Sequence, residues 1–149
     1  MALSTVPSVR SVFWWFSTGI NAGMNDWLDI FIRLGAATVI GGVIGLNRDL
    51  HHKPTGVRTL ALVALGSALA MLAVAHDPQA DISRVIQGVI TGVGFIGAGV
   101  ILHRPAEKRV HGLTTAAAIW VTAAMGVLCG LAAWRILGIA APLILLAGC

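Results

Sequence analysis

Four aspartates are the residues whose type and placement come closest to supporting chemistry in this chain. Asp26 and Asp29 stand at the start of one apolar run, and Asp77 and Asp81 precede another. Magnesium is commonly held by one or two carboxylates together with several water molecules. The aspartates could therefore form a Mg²⁺-binding entrance on the outer side of the membrane, which we call the Mg²⁺ mouth. Their spacing has no metal-ligand signature, however, and nearby arginines would neutralise part of their charge. Asp29 and Asp81 remain weak metal candidates, and no resident cofactor is expected.

The same residues also have a structural interpretation. Asp29 and Arg33 are four residues apart, so they can pair along one helical face, and pairing lowers the cost of charge within a membrane span. Asp81 or Ser83 is placed to cap the start of a helix. Arg84 follows directly and adds positive charge beside the two aspartates of that segment.

The other polar candidates lie near the ends of apolar runs. Arg58 is one residue into its run, next to Thr59, and its long side chain can reach the headgroups. Further side chains can cap helix starts, hydrogen-bond between helices or mark a loop: Arg48, Gln87, Thr91, Thr114 and Thr115. No Ser/His/Asp set, phosphate loop or acid/base pair is present, and the five histidines lie in predicted loops. The sequence therefore gives no argument for an enzyme.

Composition identifies the class of protein. Of the 149 residues, 57% are hydrophobic and 11% charged, with a mean hydropathy of +0.88, whereas soluble domains are about one quarter charged. The net charge of +4 comes from basic residues in the gaps between apolar runs. It indicates membrane topology rather than nucleic-acid binding. Cys129 and Cys149 have no disulfide or zinc spacing.

Five apolar runs approach the roughly 20 residues that span a bilayer, and spans must be helical in lipid. We predict an all-α polytopic bundle of about five helices at 28–46, 57–75, 85–102, 113–131 and 133–148. Residues 28–149 form the transmembrane domain, and the tryptophan-containing residues 1–27 form an N-terminal interfacial segment.

Basic residues predict the orientation. Arg48 and Lys53 lie between the first two runs, and Arg104, Lys108 and Arg109 lie between the third and fourth. Such loops face the cytoplasm. The N-terminus is therefore predicted outside and the C-terminus inside.

The first four spans contain an internal repeat. A shift of 56 residues, as from 48 to 104, aligns two hairpins without a gap. The matches that are not apolar are Arg48 with Arg104, Gly56 with Gly112, and Thr59 with Thr115. Both hairpins run in the same direction, so we predict two parallel repeats related by an axis along the membrane normal.

The third span is rich in glycine, and small residues let helices approach closely in lipid. We predict close packing within the bundle or across a dimer; the alternative is a flexible helix that lines a path. The candidate residues are Gly88, Gly92, Gly94, Gly97 and Gly99.

Three blocks resemble the signature of the MgtC/SapB family, in its order and spacing. They are Gly45-Leu46-Asn47-Arg48-Asp49 followed by Gly56-Val57-Arg58-Thr59, then Asp81 to Arg84 with Gly92 to Gly99, and Val110 to Ala117 followed by Trp120. Asn47 and Asp49 stand where many members carry glutamate, which weakens the case for a charged site there. Longer members add a soluble cytoplasmic domain after the last span, and we expect none here.

The resemblance implies a bacterial inner-membrane protein linked to growth under magnesium limitation and to virulence. It also implies restraint of the F-type ATP synthase and control of membrane potential.

Two functional hypotheses follow. The first is a non-enzymatic regulator that works by helix–helix contact, with a second copy (a dimer favoured) or with a partner such as the ATP synthase membrane sector. The second is a small transporter or channel for Mg²⁺ or another ion. Because the middles of most spans are nearly all apolar, the sequence favours the regulator. A lipid- or polyamine-handling role of the basic loops is a third alternative.

Overall fold

The computed structural model describes residues 26–75, 80–103 and 110–148. This part of the chain forms five helices and one pair of two-residue strands. In chain order they are α1 (Asp26–Leu50), α2 (Val57–Ala75), α3 (Ile82–Val100), β1 (Leu102–His103), β2 (Val110–His111), α4 (Leu113–Gly130) and α5 (Trp134–Ala147).

The helices confirm the predicted all-α bundle. Helices α1 to α4 are each long and apolar enough to cross a membrane, whereas α5 has 14 residues and contains Pro142. The sequence did not predict that the residues at the two ends of the loop between the third and fourth spans pair as β1 and β2, antiparallel, with His103 opposite Val110. The predicted interfacial segment lies outside the described residues except for its last two positions.

Tight local structures connect the helices. The loop after α1 contains His52 and Thr55 at positive φ, and Asp49 accepts a hydrogen bond from the Val57 amide that starts α2, at 3.1 Å. Gly112 precedes α4 with φ at 95°, and a Cβ there would meet the Val100 carbonyl oxygen. Glycine is required at this position because an L side chain would be both strained and obstructed.

The core lies where α2 and α4 meet at the centre of the bundle. Its buried side chains are mostly small or aliphatic, which allows close approach of helices in lipid: Ala37, Leu60, Ala64, Ala68, Ile119, Met125 and Cys129. Helix α1 packs on α2 and α4, α3 packs mainly on α4, and α5 packs on α4 and α1.

The contacts follow the predicted repeat. A Cβ built on Gly41 of α1 would lie 2.6 Å from the Leu60 carbonyl oxygen of α2. The nearest neighbour of Gly97 on α3 is Ala116 of α4. Gly97 follows Gly41 by 56 residues, and Ala116 follows Leu60 by the same number. Helix α3 therefore contacts α4 at the position where α1 contacts α2.

Candidate functional site

Arg48 is the most buried charged side chain of the described residues, with 4% of its surface exposed. Its Nε donates to the Thr55 carbonyl at 3.2 Å. Its Nη2 donates to the Pro54 carbonyl and to the Thr115 hydroxyl, both at 2.8 Å. The sequence places Arg48 in a basic loop and Thr115 at a helix start, but it did not predict their contact. Arg48 joins the end of α1, the following loop and the first turn of α4.

A second contact holds the same end of the bundle together. The Lys53 ammonium donates to the Gly148 carbonyl at 3.2 Å, so the first loop is tied to the end of α5. Asn47, Lys53 and Thr114 line a cavity of 240 Å³ between α1, α4 and α5. Thr114 is exposed towards this cavity, whereas Thr115, one residue later, is fully buried.

Asp29 and Arg33 form the predicted ion pair, with 2.6 Å between Oδ2 and Nη2. Arg33 also donates from Nη1 to the Gly130 carbonyl at the end of α4, at 2.9 Å. A cation is favourable at this helix end because the carbonyl groups there carry partial negative charge. The pair therefore connects α1 to α4, and the Asp29 carboxylate is already neutralised.

Asp81 is the predicted N-cap of α3. Its Oδ1 accepts hydrogen bonds from the Ser83 and Arg84 amides at 3.1 and 3.4 Å, and from the Ser83 hydroxyl. Arg84 is exposed. Over 26–75, 80–103 and 110–148, no three His, Cys, Asp or Glu side chains lie close enough to share a metal ion. The Asp26 side chain and Asp77 lie outside what is described, so the Mg²⁺ mouth stays a prediction.

The cap on α3 has a consequence for titration. The hydrogen bond from the Ser83 hydroxyl lowers the pKa of the Asp81 carboxyl, and the Arg84 and Ser83 amides add to the effect. A lowered pKa means that the cap is fully present above about pH 3.9 and is lost as the pH falls through the lowered value. We expect the Asp81 carboxyl to titrate below about pH 3.9 by carbon-13 NMR, and Ser83→Ala to raise that midpoint. An unchanged midpoint in Ser83→Ala would contradict this assignment.

The glycines of α3 differ in their surroundings. Gly97 packs against Ala116, whereas a Cβ built on any of the other four would meet nothing within 4 Å: Gly88, Gly92, Gly94 and Gly99. Packing within the bundle is therefore found for Gly97 alone among the five. Helix α3 is also the least buried of the four long helices.

One exposed stripe of α3 combines small and polar residues. Gln87, Thr91, Gly94 and Ala98 recur at the spacing of one helical face, and all four are exposed. Three hydroxyls in other spans donate to a carbonyl of their own helix: Thr38, Ser67 and Thr122. Gln87 and Thr91 make no side-chain hydrogen bond within the part of the chain that the structure describes. We call these four residues the α3 stripe.

A groove of 520 Å³ separates α2 from α3. Arg58 and Thr59, in the first turn of α2, line one end of the groove. Its walls are mainly aliphatic side chains and glycines, among them Leu62, Gly66, Val89, Gly92 and Ile96. We call this the α2/α3 groove.

The tightest helix contacts involve glycines other than the five predicted ones. Gly41 and Gly45 of α1 meet the α2 backbone, and Gly126 and Gly130 of α4 meet α2 at Ala64 and Met71. Both pairs are spaced as GxxxG, the pattern that identified Gly88 and Gly92. The signal was therefore present in the sequence.

Comparisons with known proteins agree with the resemblance. A family model described as the MgtC family matches residues 34–148. SrpB of Synechococcus elongatus is 47% identical over 125 residues, covering 74% of this chain and 68% of SrpB. MgtC of Salmonella typhimurium strain LT2 is 38% identical over 104 residues, covering 70% of this chain and 44% of that protein.

A third relative is YhiD of Escherichia coli K12, named as a candidate magnesium transporter. It is 45% identical over 112 residues, covering 68% of this chain and 51% of YhiD. The chain thus spans about half the length of YhiD and MgtC. No solved structure matches it.

Proposed function

Since this chain belongs to the MgtC family, we propose that it is a non-enzymatic membrane regulator that acts by helix–helix contact. The α3 stripe is the observation that carries the proposal. It places Gln87 and Thr91 on the outside of a membrane-spanning helix, where lipid offers their polar groups no hydrogen-bond partner. A second helix would supply partners.

The small residues of the stripe suit such a contact. Gly94 has open space around its Cα, and Ala98 is exposed one turn later, so a partner backbone can come close. Close backbone approach is the main attraction between helices in lipid, and an interhelical hydrogen bond adds about 0.6 to 2 kcal/mol.

A second copy of the chain is the partner that the stripe fits best. The glutamine amide and the threonine hydroxyl both donate and accept hydrogen bonds. Each can therefore bond to its own equivalent across a twofold axis, as in the common isologous dimer. The stripe contains no charge that would repel its equivalent.

The proposed setting follows from the family and the charges. The protein acts in a bacterial inner membrane with its N-terminus outside and its C-terminus in the cytoplasm, since Arg48 and Lys53 lie near one end of the bundle and basic ends tend to face the cytoplasm. The proposed context is growth under magnesium limitation and virulence. The proposed partner is the membrane sector of the F-type ATP synthase, which links the protein to the membrane potential.

Ion transport is the competing proposal, supported by the name of YhiD. The interior of the bundle argues against it, because its buried side chains are mostly small or aliphatic and Asp29 is paired with Arg33. Few oxygen ligands lie inside the bundle of the described residues to replace the waters of a hydrated ion.

The oligomeric state of stripe variants tests the regulator proposal. In Gln87→Leu and Gly94→Leu we expect dimer affinity in detergent or nanodiscs to fall about tenfold or more, since a hydrogen bond or close approach is lost. Recovery of the ATP synthase membrane sector from cells is measured alongside. Gly35→Leu is the matched control, because Gly35 is an equally open, exposed glycine on α1.

Two results would contradict the proposal. One is an unchanged oligomeric state and unchanged partner recovery in both stripe variants. The other is Mg²⁺ flux into proteoliposomes above that of empty vesicles, abolished by Asp29→Ala, which would support transport instead.

A further inference from the structure

The two hairpins of the repeat offer two equivalent grooves, and only one of them holds a helix of the described residues. The groove between α1 and α4 is covered by α5, whose Leu137 is buried and whose Ile144 packs against the core. In the 56-residue repeat, α1 corresponds to α3 and α2 corresponds to α4. The groove equivalent to that between α1 and α4 is therefore the α2/α3 groove. No helix of the described part of the chain fills that groove.

The length of the α2/α3 groove matches one leaflet of a membrane. On α2 it is lined from Arg58 to Ser67, nine residues apart, which is about 13 Å along a helix. Half of a 30 Å hydrocarbon core is about 15 Å. The groove therefore begins at one membrane surface and ends near the midplane, as a single lipid tail does.

The charge at the groove's surface end is positive. Arg58 is exposed and makes no ion pair within the described residues. The nearby Asp49 carboxylate is held on the Val57 amide. A phosphate at this level would meet the guanidinium of Arg58 and the Thr59 hydroxyl, both of which can donate hydrogen bonds to an anion.

We propose that the α2/α3 groove binds one anionic phospholipid, with its phosphate on Arg58 and Thr59 and one tail along Leu62, Gly66 and Gly92. Basic sites between membrane helices are known to select anionic headgroups. With the proposed orientation, the lipid comes from the cytoplasmic leaflet. Gly92, on the groove side, and Gly94, on the stripe, are about 200° apart around α3, so the two surfaces are separate.

Lipid retention by the purified full-length chain tests this site. The protein is exchanged into equimolar phosphatidylglycerol and phosphatidylethanolamine, and bound lipid is counted by native mass spectrometry. We expect the wild type to retain phosphatidylglycerol preferentially and Arg58→Gln to lose that preference by about fivefold. Arg58→Lys should keep most of it. Gly92→Leu should lower retention of both lipids, because its side chain enters the tail path.

Arg135→Gln is the control for loss of one exposed charge, since Arg135 is the second residue of α5 and does not line the groove. This variant should retain lipid as the wild type does. The proposal is overturned if Arg58→Gln keeps its phosphatidylglycerol preference, or if Arg135→Gln loses it equally. It is also overturned if Gly92→Leu changes the oligomeric state and leaves lipid retention unaltered, since a protein helix would then occupy the groove.

Discussion

Arg48→Gln is expected to lower the free energy of unfolding by about 3 kcal/mol, far more than the loss of an exposed arginine would. Arg48 is buried and donates to the Thr55 and Pro54 carbonyls and to the Thr115 hydroxyl. Glutamine is shorter and cannot reach all three acceptors, which would lose their partners in a site that water reaches poorly. The measurement is the unfolding midpoint in a denaturing-detergent titration, followed by circular dichroism.

A double-mutant cycle separates this contact from a general effect of losing charge. Thr115→Val removes one acceptor with little change in volume, and its effect should be smaller than that of Arg48→Gln. The two changes together should cost less than their sum, because they share one hydrogen bond. Arg135→Gln, on an exposed arginine, should leave the midpoint unchanged. Additive effects of Arg48→Gln and Thr115→Val would show that the contact contributes nothing to stability.

Hydropathy predicted most of the fold because a bilayer fixes the length of each span. Helices α2 and α4 begin at the predicted residues, Val57 and Leu113. Local spacing was equally informative. The Asp29–Arg33 pair and the Asp81 cap are interactions within four residues, and such contacts depend on the helix alone.

Contacts between helices were harder to predict, because periodicity shows which residues share a face and not what that face meets. In the sequence, Arg48 and Arg58 are both basic residues in or beside the same loop. In the structure, Arg48 is buried and Arg58 is exposed. The difference arises because the loop folds back over Arg48 and places two carbonyls beside it, while α4 supplies the Thr115 hydroxyl. The same limitation applies to the glycines, since a GxxxG pattern does not show whether a neighbouring helix is present.

Gly126→Ala is the second change with a large expected effect. A Cβ at Gly126 would overlap the Ala64 carbonyl oxygen and lie 2.8 Å from the Ala64 Cα. These are backbone atoms of α2, so α2 and α4 must separate at the centre of the bundle to admit one methyl group. We expect a loss of about 2 to 3 kcal/mol in the free energy of unfolding, at the upper end of overpacking costs, measured by the same titration.

Gly88→Ala is the matched control, because it makes the same chemical change in the GxxxG pattern of α3. A Cβ at Gly88 meets nothing within 4 Å, so the remaining effect is the higher helix propensity of alanine, a gain of about 0.5 to 1 kcal/mol. The two variants should therefore move the unfolding midpoint in opposite directions. Destabilisation by Gly88→Ala equal to that by Gly126→Ala would mean that α3 is packed as closely as α4. In a dimer, such a result would place the partner helix over Gly88 and move the proposed contact from the α3 stripe towards the groove.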